Sequence, residues 1–259
     1  MQSQEANLAQ RTSLQSLSTK AAEALKNVLL NEHRAKVALC LDISRSMYFL
    51  YSSGKMQELV DRVLALGLNF DDNQVIDIFL FGERAYFADQ LSLANFSGYV
   101  NWMRLQYRFE GGTNYGNVIQ EVRNFYFPAK PSNPQREPPE SKLPTYVIFV
   151  TDGAPDDPAF AREQIISSSH EPIFWQFVAL GKSRKDAHGK QHPADFLSDF
   201  RFLEELDTME DRFIDNANFF SVEELSHLSA EEWYKLLMNE YPLWIAKAHD
   251  KGILPLRWI

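Results

Sequence analysis

Apolar residues at Leu14, Leu17, Ala21, Leu25 and Val28 recur every three or four positions, which predicts a helix with one narrow, Ala-rich stripe against the outside of a domain. The twelve residues before that stripe are polar and read as frayed. From residue 37 the pattern changes. Val37-Ala38-Leu39-Cys40-Leu41 is an uninterrupted apolar run, which predicts a strand over 37–43 buried on both faces. Met56, Leu59, Val60, Val63, Leu64 and Leu66 restore a helical period over 55–68. Further strands are expected at 75–81, 146–150 and 173–180, with a short edge strand at 85–87 and a last strand within 212–220. Helices are expected at 96–105, 115–127, 158–168, 196–206 and 231–248. Residues 128–144 hold six of the chain's twelve prolines and read as an exposed, semi-rigid loop, and 182–193 reads as a polar one.

Strands that alternate with helices predict an α/β fold, a doubly wound and mostly parallel sheet with helices on both faces. No internal repeat or second core is visible. The division expected is an amino-terminal extension with its helix over 1–33 and one domain over 34–259. With 45% hydrophobic and 24% charged residues, the 259-residue chain can bury a full core. A net charge of −9 argues against general nucleic-acid binding, which needs a basic footprint. One cysteine, Cys40, excludes a disulfide scaffold and reads as an inert core thiol. No signal peptide or membrane span is read, and a cytoplasmic location is the expectation.

The chemistry lies where strands end. Asp42-Ile43-Ser44-Arg45-Ser46 follows the first strand, and in an open α/β sheet the carboxyl ends of strands are where ligands bind. A carboxylate and two hydroxyls on one turn are oxygen donors, the preference of hard divalent cations and of Mg²⁺ above all. Thr113 follows Gly111-Gly112 and opens a helix; Asp152 follows the most hydrophobic strand and precedes Gly153. If the first and third strong strands are neighbours at the sheet's reversal, Asp42, Ser44, Ser46, Thr113 and Asp152 converge there. Two carboxylates would neutralise the cation. Neutral hydroxyls would leave it electrophilic, with an exchangeable position for a partner's carboxylate.

The pattern Asp42-x-Ser44-x-Ser46, Gly112-Thr113 and Thr151-Asp152-Gly153 resembles the metal-ion-dependent adhesion site (MIDAS) of von Willebrand factor A (vWA) domains, over roughly 34–248. Leu68-Asn69-Phe70-Asp71-Asp72, Phe79-Leu80-Phe81-Gly82, Pro172 to Phe177 and Asp215 to Phe220 look like the bacterial tellurium-resistance (TerF-like) branch. The resemblance implies a Rossmann-like vWA fold and metal contact by Asp42, Ser44, Ser46 and Thr113, with Asp152 acting directly or through water. The metal expected is Mg²⁺, with Mn²⁺ or Ca²⁺ as alternatives. The implied setting is a cytoplasmic stress response, and the partner a separate protein supplying an Asp or Glu, for which a TerD-like protein is a candidate. Arg45 stands where the family commonly has glycine. It would either repel the cation slightly or salt-bridge an incoming carboxylate.

Plainer readings stand beside these. Ser and Thr at helix starts and Asp at strand ends also serve as caps. Asp71-Asp72 reads as a turn, and Asp156-Asp157 as a helix start before Pro158. His188 and His192 are four apart, but Gly189 and Pro193 argue for a solvated loop beside a basic patch. Phe174-Trp175-Gln176-Phe177 reads as a core strand. No GxxxxGK[ST], GxGxxG or GxSxG is present, so the chain reads as a non-enzyme. The alternatives are a metal-dependent hydrolase or phosphatase with Asp42 as nucleophile, and a metal-independent scaffold binding through the amino-terminal helix or the proline-rich loop. A phosphatase would want an acid two residues after Asp42, where Ser44 stands.

Overall fold

The computed structural model describes residues 2–128, 143–181 and 200–255, with side chains from residue 8 onward. Six strands form one sheet: β1 (Lys36–Asp42), β2 (Ile76–Phe81), β3 (Ala85–Leu91), β4 (Thr145–Thr151), β5 (Ile173–Leu180) and β6 (Ala217–Val222). Their spatial order is β3-β2-β1-β4-β5-β6, with β3 antiparallel and every other pairing parallel. The fully buried strands β2, β4 and β5 account for the long apolar runs in the sequence.

Strand alternation sorts the core into two layers. Val37, Leu39 and Leu41 of β1 face one layer, with α1 (Gln2–Asn27), α3 (Lys55–Phe70), α4 (Tyr99–Gln106), α8 (Ala230–Leu237) and α9 (Tyr241–Asp250). Ala38 and Cys40 face the other, with α5 (Tyr115–Tyr126), α6 (Pro158–Ser168) and α7 (Arg201–Thr208). Cys40 is fully buried, and burial raises its thiol well above the ordinary value, as expected of an inert core residue. Leu14, Ala21 and Leu25 of α1 are buried, and that helix packs on α3 and α8. Among the described residues no helix is long and apolar enough to cross a membrane.

Four local readings need correction. Residues 2–12 are helical and not frayed, because Gln, Glu, Ala and Leu are good helix formers that extend α1 beyond its buried stripe. The single helix expected over 231–248 is two. Pro242 cannot donate to the carbonyl four residues back and sits instead in the first turn of α9. The last strand, Ala217–Val222, runs past the expected end at residue 220, because Ser221 and Val222 still pair with Ala179 and Leu180 of β5. The segment after β1 forms a 3₁₀ turn (Arg45–Met47) and a short helix α2 (Tyr48–Ser52), neither of which periodicity revealed. Asp71 takes the turn role expected, pairing with Lys36 at 3.0 Å and accepting the Asn73 N–H at 3.0 Å. Residues 129–142, 182–199 and with them His188 and His192 lie outside the described residues.

Candidate functional site

Strand register places the first carboxylate. Asp42 ends β1 on the face that carries Ala38 and Cys40, and Leu41 pairs with Val150 of β4. Thr151, the next residue of β4, therefore lies beside Asp42 and donates its hydroxyl to Asp42 Oδ2 at 2.7 Å. The neighbouring strands β2 and β4 flank β1 on opposite sides, so the carboxyl ends of β1 and β4 mark the point where the winding of the sheet reverses. The condition on which convergence depended is met.

From Asp42 a chain of hydrogen bonds runs across two loops. Asp42 Oδ1 accepts the Ser44 backbone N–H at 2.6 Å, closing a tight Asx-type turn. Ser46 Oγ donates to Asp152 Oδ1 at 2.7 Å, so the 2.9 Å contact between the two serine hydroxyls has Ser44 as donor. Asp42, Ser44, Ser46 and Asp152 are thus brought together. Thr113 lies on the adjoining loop and takes no part in this chain of bonds among the described residues. It is held by Asp156, whose Oδ2 accepts the Thr113 N–H at 2.8 Å and whose own N–H donates to Thr113 O at 2.9 Å.

Several supporting residues were not legible as such. Tyr51 donates to the Asp42 carbonyl at 2.9 Å from the unforeseen helix α2. Tyr115 shares its hydroxyl proton between Thr151 Oγ1, at 3.0 Å, and the Gly153 carbonyl. Asp156 and Asp157 were expected to start their own helix. Asp157 does stand at the N-cap of α6, before Pro158, but its carboxylate accepts from Gly116 N–H at 2.9 Å, at the free amino end of α5, so the side chain caps a neighbouring helix. That contact requires glycine. A Cβ at Gly116 would lie 2.4 Å from Phe160 Cδ1 and 2.9 Å from the Ala161 nitrogen. The signal available in the sequence was the pair of glycines flanking Thr113-Asn114-Tyr115, which permits such close approach.

The electrostatics are those of two acids set close together, one of them buried. Burial pushes Asp42 up to about 6; hydrogen bonds from Ser44 and Thr151 pull it back, and the charge of Asp152 pushes it further up. Burial also raises Asp152 above the ordinary carboxylate range. Among the described residues neither has an ion-pair partner, and Arg45 is exposed and bonded to neither. No group of three His, Cys, Asp or Glu side chains that could hold a metal ion occurs among the described residues; this cluster joins two carboxylates to hydroxyls.

A sheet of this order, with an Asp-x-Ser-x-Ser turn at its reversal point, defines a von Willebrand factor A-type α/β domain. The family model vWA-TerF-like, a vWA found in the TerF C terminus, matches residues 34–254, and the chain belongs to that family. It is similar to YcbR of Bacillus subtilis (strain 168), 33% identical over 234 residues that cover 89% of this chain and 85% of that protein. Among solved structures, manganese-loaded TRAP protein of Plasmodium vivax shares the fold at a TM-score of 0.52 and 14% identity, over 79% of this chain and 74% of that one. Proximal thread matrix protein 1 of the mussel byssus aligns at a TM-score of 0.49 and 16% identity, over 80% of this chain and 47% of that one.

Proposed function

We propose that this chain is a metal-dependent protein-interaction module that uses a divalent cation to engage an Asp or Glu of a partner protein. The carrying observation is the hydrogen-bonded run from Thr151 through Asp42, Ser44 and Ser46 to Asp152, which joins a buried and a half-buried carboxylate with no Lys or Arg paired to either among the described residues. The donor set fits the ion. Carboxylates of Asp42 and Asp152 and hydroxyls of Ser44 and Ser46 are all hard oxygen donors, the preference of Mg²⁺, with Mn²⁺ or Ca²⁺ as alternatives. When bound, the cation supplies an electrophilic position at which a carboxylate replaces water.

In this reading Asp42, Ser44, Ser46 and Asp152 hold the ion, and Thr113 completes the set from the loop fixed by Asp156. Thr151 and Tyr115 fix Asp42 from behind. The TRAP structure carries manganese in the same fold, and the family match supports a cytoplasmic stress-response setting with a TerD-like partner. Hydrolysis with Asp42 as nucleophile is disfavoured because the position two residues on, where such an enzyme would want its acid, is Ser44. The test is Asp42→Ala, with Mn²⁺ affinity read by calorimetry and partner capture by a carboxylate-bearing peptide column, each with and without chelator. The reading requires both signals to vanish in the variant. Phosphoester turnover that the substitution removes would establish the phosphatase instead, and chelator-insensitive capture the scaffold.

A further inference from the structure

We infer that the surface beside the β1 turn selects the partner, and that it fits an acidic segment carrying an apolar residue next to the carboxylate that reaches the cation. This rests on the cation reading above and extends it to the recognition surface. Helix α2 begins two residues after Ser46 and turns Tyr51 inward, yet leaves Tyr48 47% and Phe49 79% exposed. Large exposed aromatic rings side by side mark interaction surfaces more often than chance placement. These are firmly seated. Phe109 packs edge-on against Tyr48 and Tyr51 with ring centres 5.6 Å and 5.3 Å apart. The segment holding Phe109 is tied to the turn itself, Arg45 N–H donating to Glu110 O at 3.0 Å and Glu110 N–H to Ile43 O at 2.9 Å. The aromatic ledge and the Ser44–Ser46 turn are therefore one rigid unit.

Charge on this ledge runs against that of the chain. Arg104 lies over the Tyr48 and Phe109 rings, at 5.7 Å and 5.8 Å, and Arg45 and Arg108 are exposed. Among the described residues none of the three has an acidic partner, whereas nearby Arg84 is paired with Glu110. A divalent cation would cancel the two site carboxylates, leaving these arginines as local surplus in a protein of net charge −9. Glu83, against Gly111 and Gly112, and Asp156, which accepts the Thr113 N–H, place the negative charge beside the Thr113 loop. The field across the site thus draws additional acidic residues of a partner toward α2, where Phe49 offers an apolar contact.

Fluorescence anisotropy with labelled synthetic peptides tests this. One peptide is Glu-rich with a central Asp flanked by Leu and Trp, a second has Ser for those flanks, a third has Lys for Glu; a single-stranded oligothymidylate is the fourth probe. With Mn²⁺ present, the first should bind about tenfold more tightly than the others. Phe49→Ser should erase the preference for apolar flanks, and Arg45→Ala with Arg108→Ala should weaken acidic peptides about tenfold. Mn²⁺ binding, followed separately by the EPR signal of free Mn²⁺, should be unchanged in these exposed-residue variants. Peptide affinities indifferent to flank and variant, with Mn²⁺ still bound, would overturn the inference and leave the cation reading standing. Tighter binding of the oligonucleotide would also overturn it. Failure of Mn²⁺ to bind would overturn the cation reading and this inference with it, and a first peptide that then still binds in chelator and depends on Phe49 would make the ledge a metal-independent docking face instead.

Discussion

Replacing Asp42 by Asn should stabilise the protein in chelator while abolishing its response to Mg²⁺. Asp42 is fully buried, and burial places its folded-state value at about 6, against an ordinary 3.8. A shift of roughly two units is worth about 3 kcal/mol. Because the folded-state value is the higher, stability is fullest below about pH 4 and is lost as pH rises through about 6. Above about pH 7 the metal-free wild type carries the full cost. Asn can still accept the Ser44 N–H, but its amide must donate to Thr151, whose hydroxyl then loses its acceptor at about 1 kcal/mol. The net expectation is a gain of about 2 kcal/mol, or roughly 4–8 °C in Tm for a chain of this size.

The assay is thermal or urea unfolding in chelator and in millimolar Mg²⁺, near pH 4 and near pH 8. In chelator at the higher pH the variant should be the more stable, and near pH 4, where the charge cost is gone, the wild type should be the more stable by up to about 1 kcal/mol. Added Mg²⁺ should stabilise only the wild type, by mass action on the folded state. A variant less stable than wild type in chelator at the higher pH would refute the argument that Asp42 is an uncompensated buried charge. An equal Mg²⁺ response in both would refute its role in holding the ion.

Two further outcomes follow from other parts of the fold. Arg123 of α5 grips Glu171 through two bonds of 2.9 Å and 2.7 Å, with both side chains under 10% exposed. Arg123→Met should cost about 3–5 kcal/mol by stranding the buried carboxylate from its guanidinium, and adding Glu171→Leu should recover most of it; urea midpoints of both variants decide this. At the α7–α9 side, burial and the charges of Asp207 and Asp215 push Glu240 up to about 7, and burial lifts Asp207 to about 6. Stability should therefore decline from about pH 4.5 to about 7 on their account, by no more than about 1 kcal/mol each after solvent screening, and Glu240→Gln should flatten the upper part. A Glu240→Gln stability profile that parallels the wild type across that range would contradict it.

What the sequence could reveal depended on how local the cause was. Strands buried on both faces announce themselves as apolar runs, so 75–81, 146–150 and 173–180 were readable to within a residue. The β1–β4 pairing that sets Thr151 against Asp42 is a matter of register between segments about a hundred residues apart, and no local pattern encodes it. Asp156 and Asp157 show the same limit. As local signals they resemble caps of α6, but the adjacent Gly111–Gly116 loop offers unpaired N–H groups, and tertiary proximity decided where the carboxylates went. Pro242 was the opposite case, a local breaker overridden in reading by the periodicity around it.

Arg45 tests the site most sharply, because a guanidinium bonded to Asp152 or Asp42 would have done the cation's work and made the cluster a structural ion pair. The turn prevents that. Its backbone N–H is committed to Glu110 O at 3.0 Å, and its side chain is exposed without a bond to either acid. The arginine that replaces the family's glycine therefore leaves the two carboxylates uncompensated. Of the two roles open to it from sequence, the geometry favours contact with an incoming acidic group. Arg45→Gly should accordingly leave Mg²⁺ stabilisation of the fold intact and lower affinity for acidic peptides. A gain in Mg²⁺ affinity of tenfold or more, about 1.4 kcal/mol, would mean instead that Arg45 acts chiefly by repelling the ion.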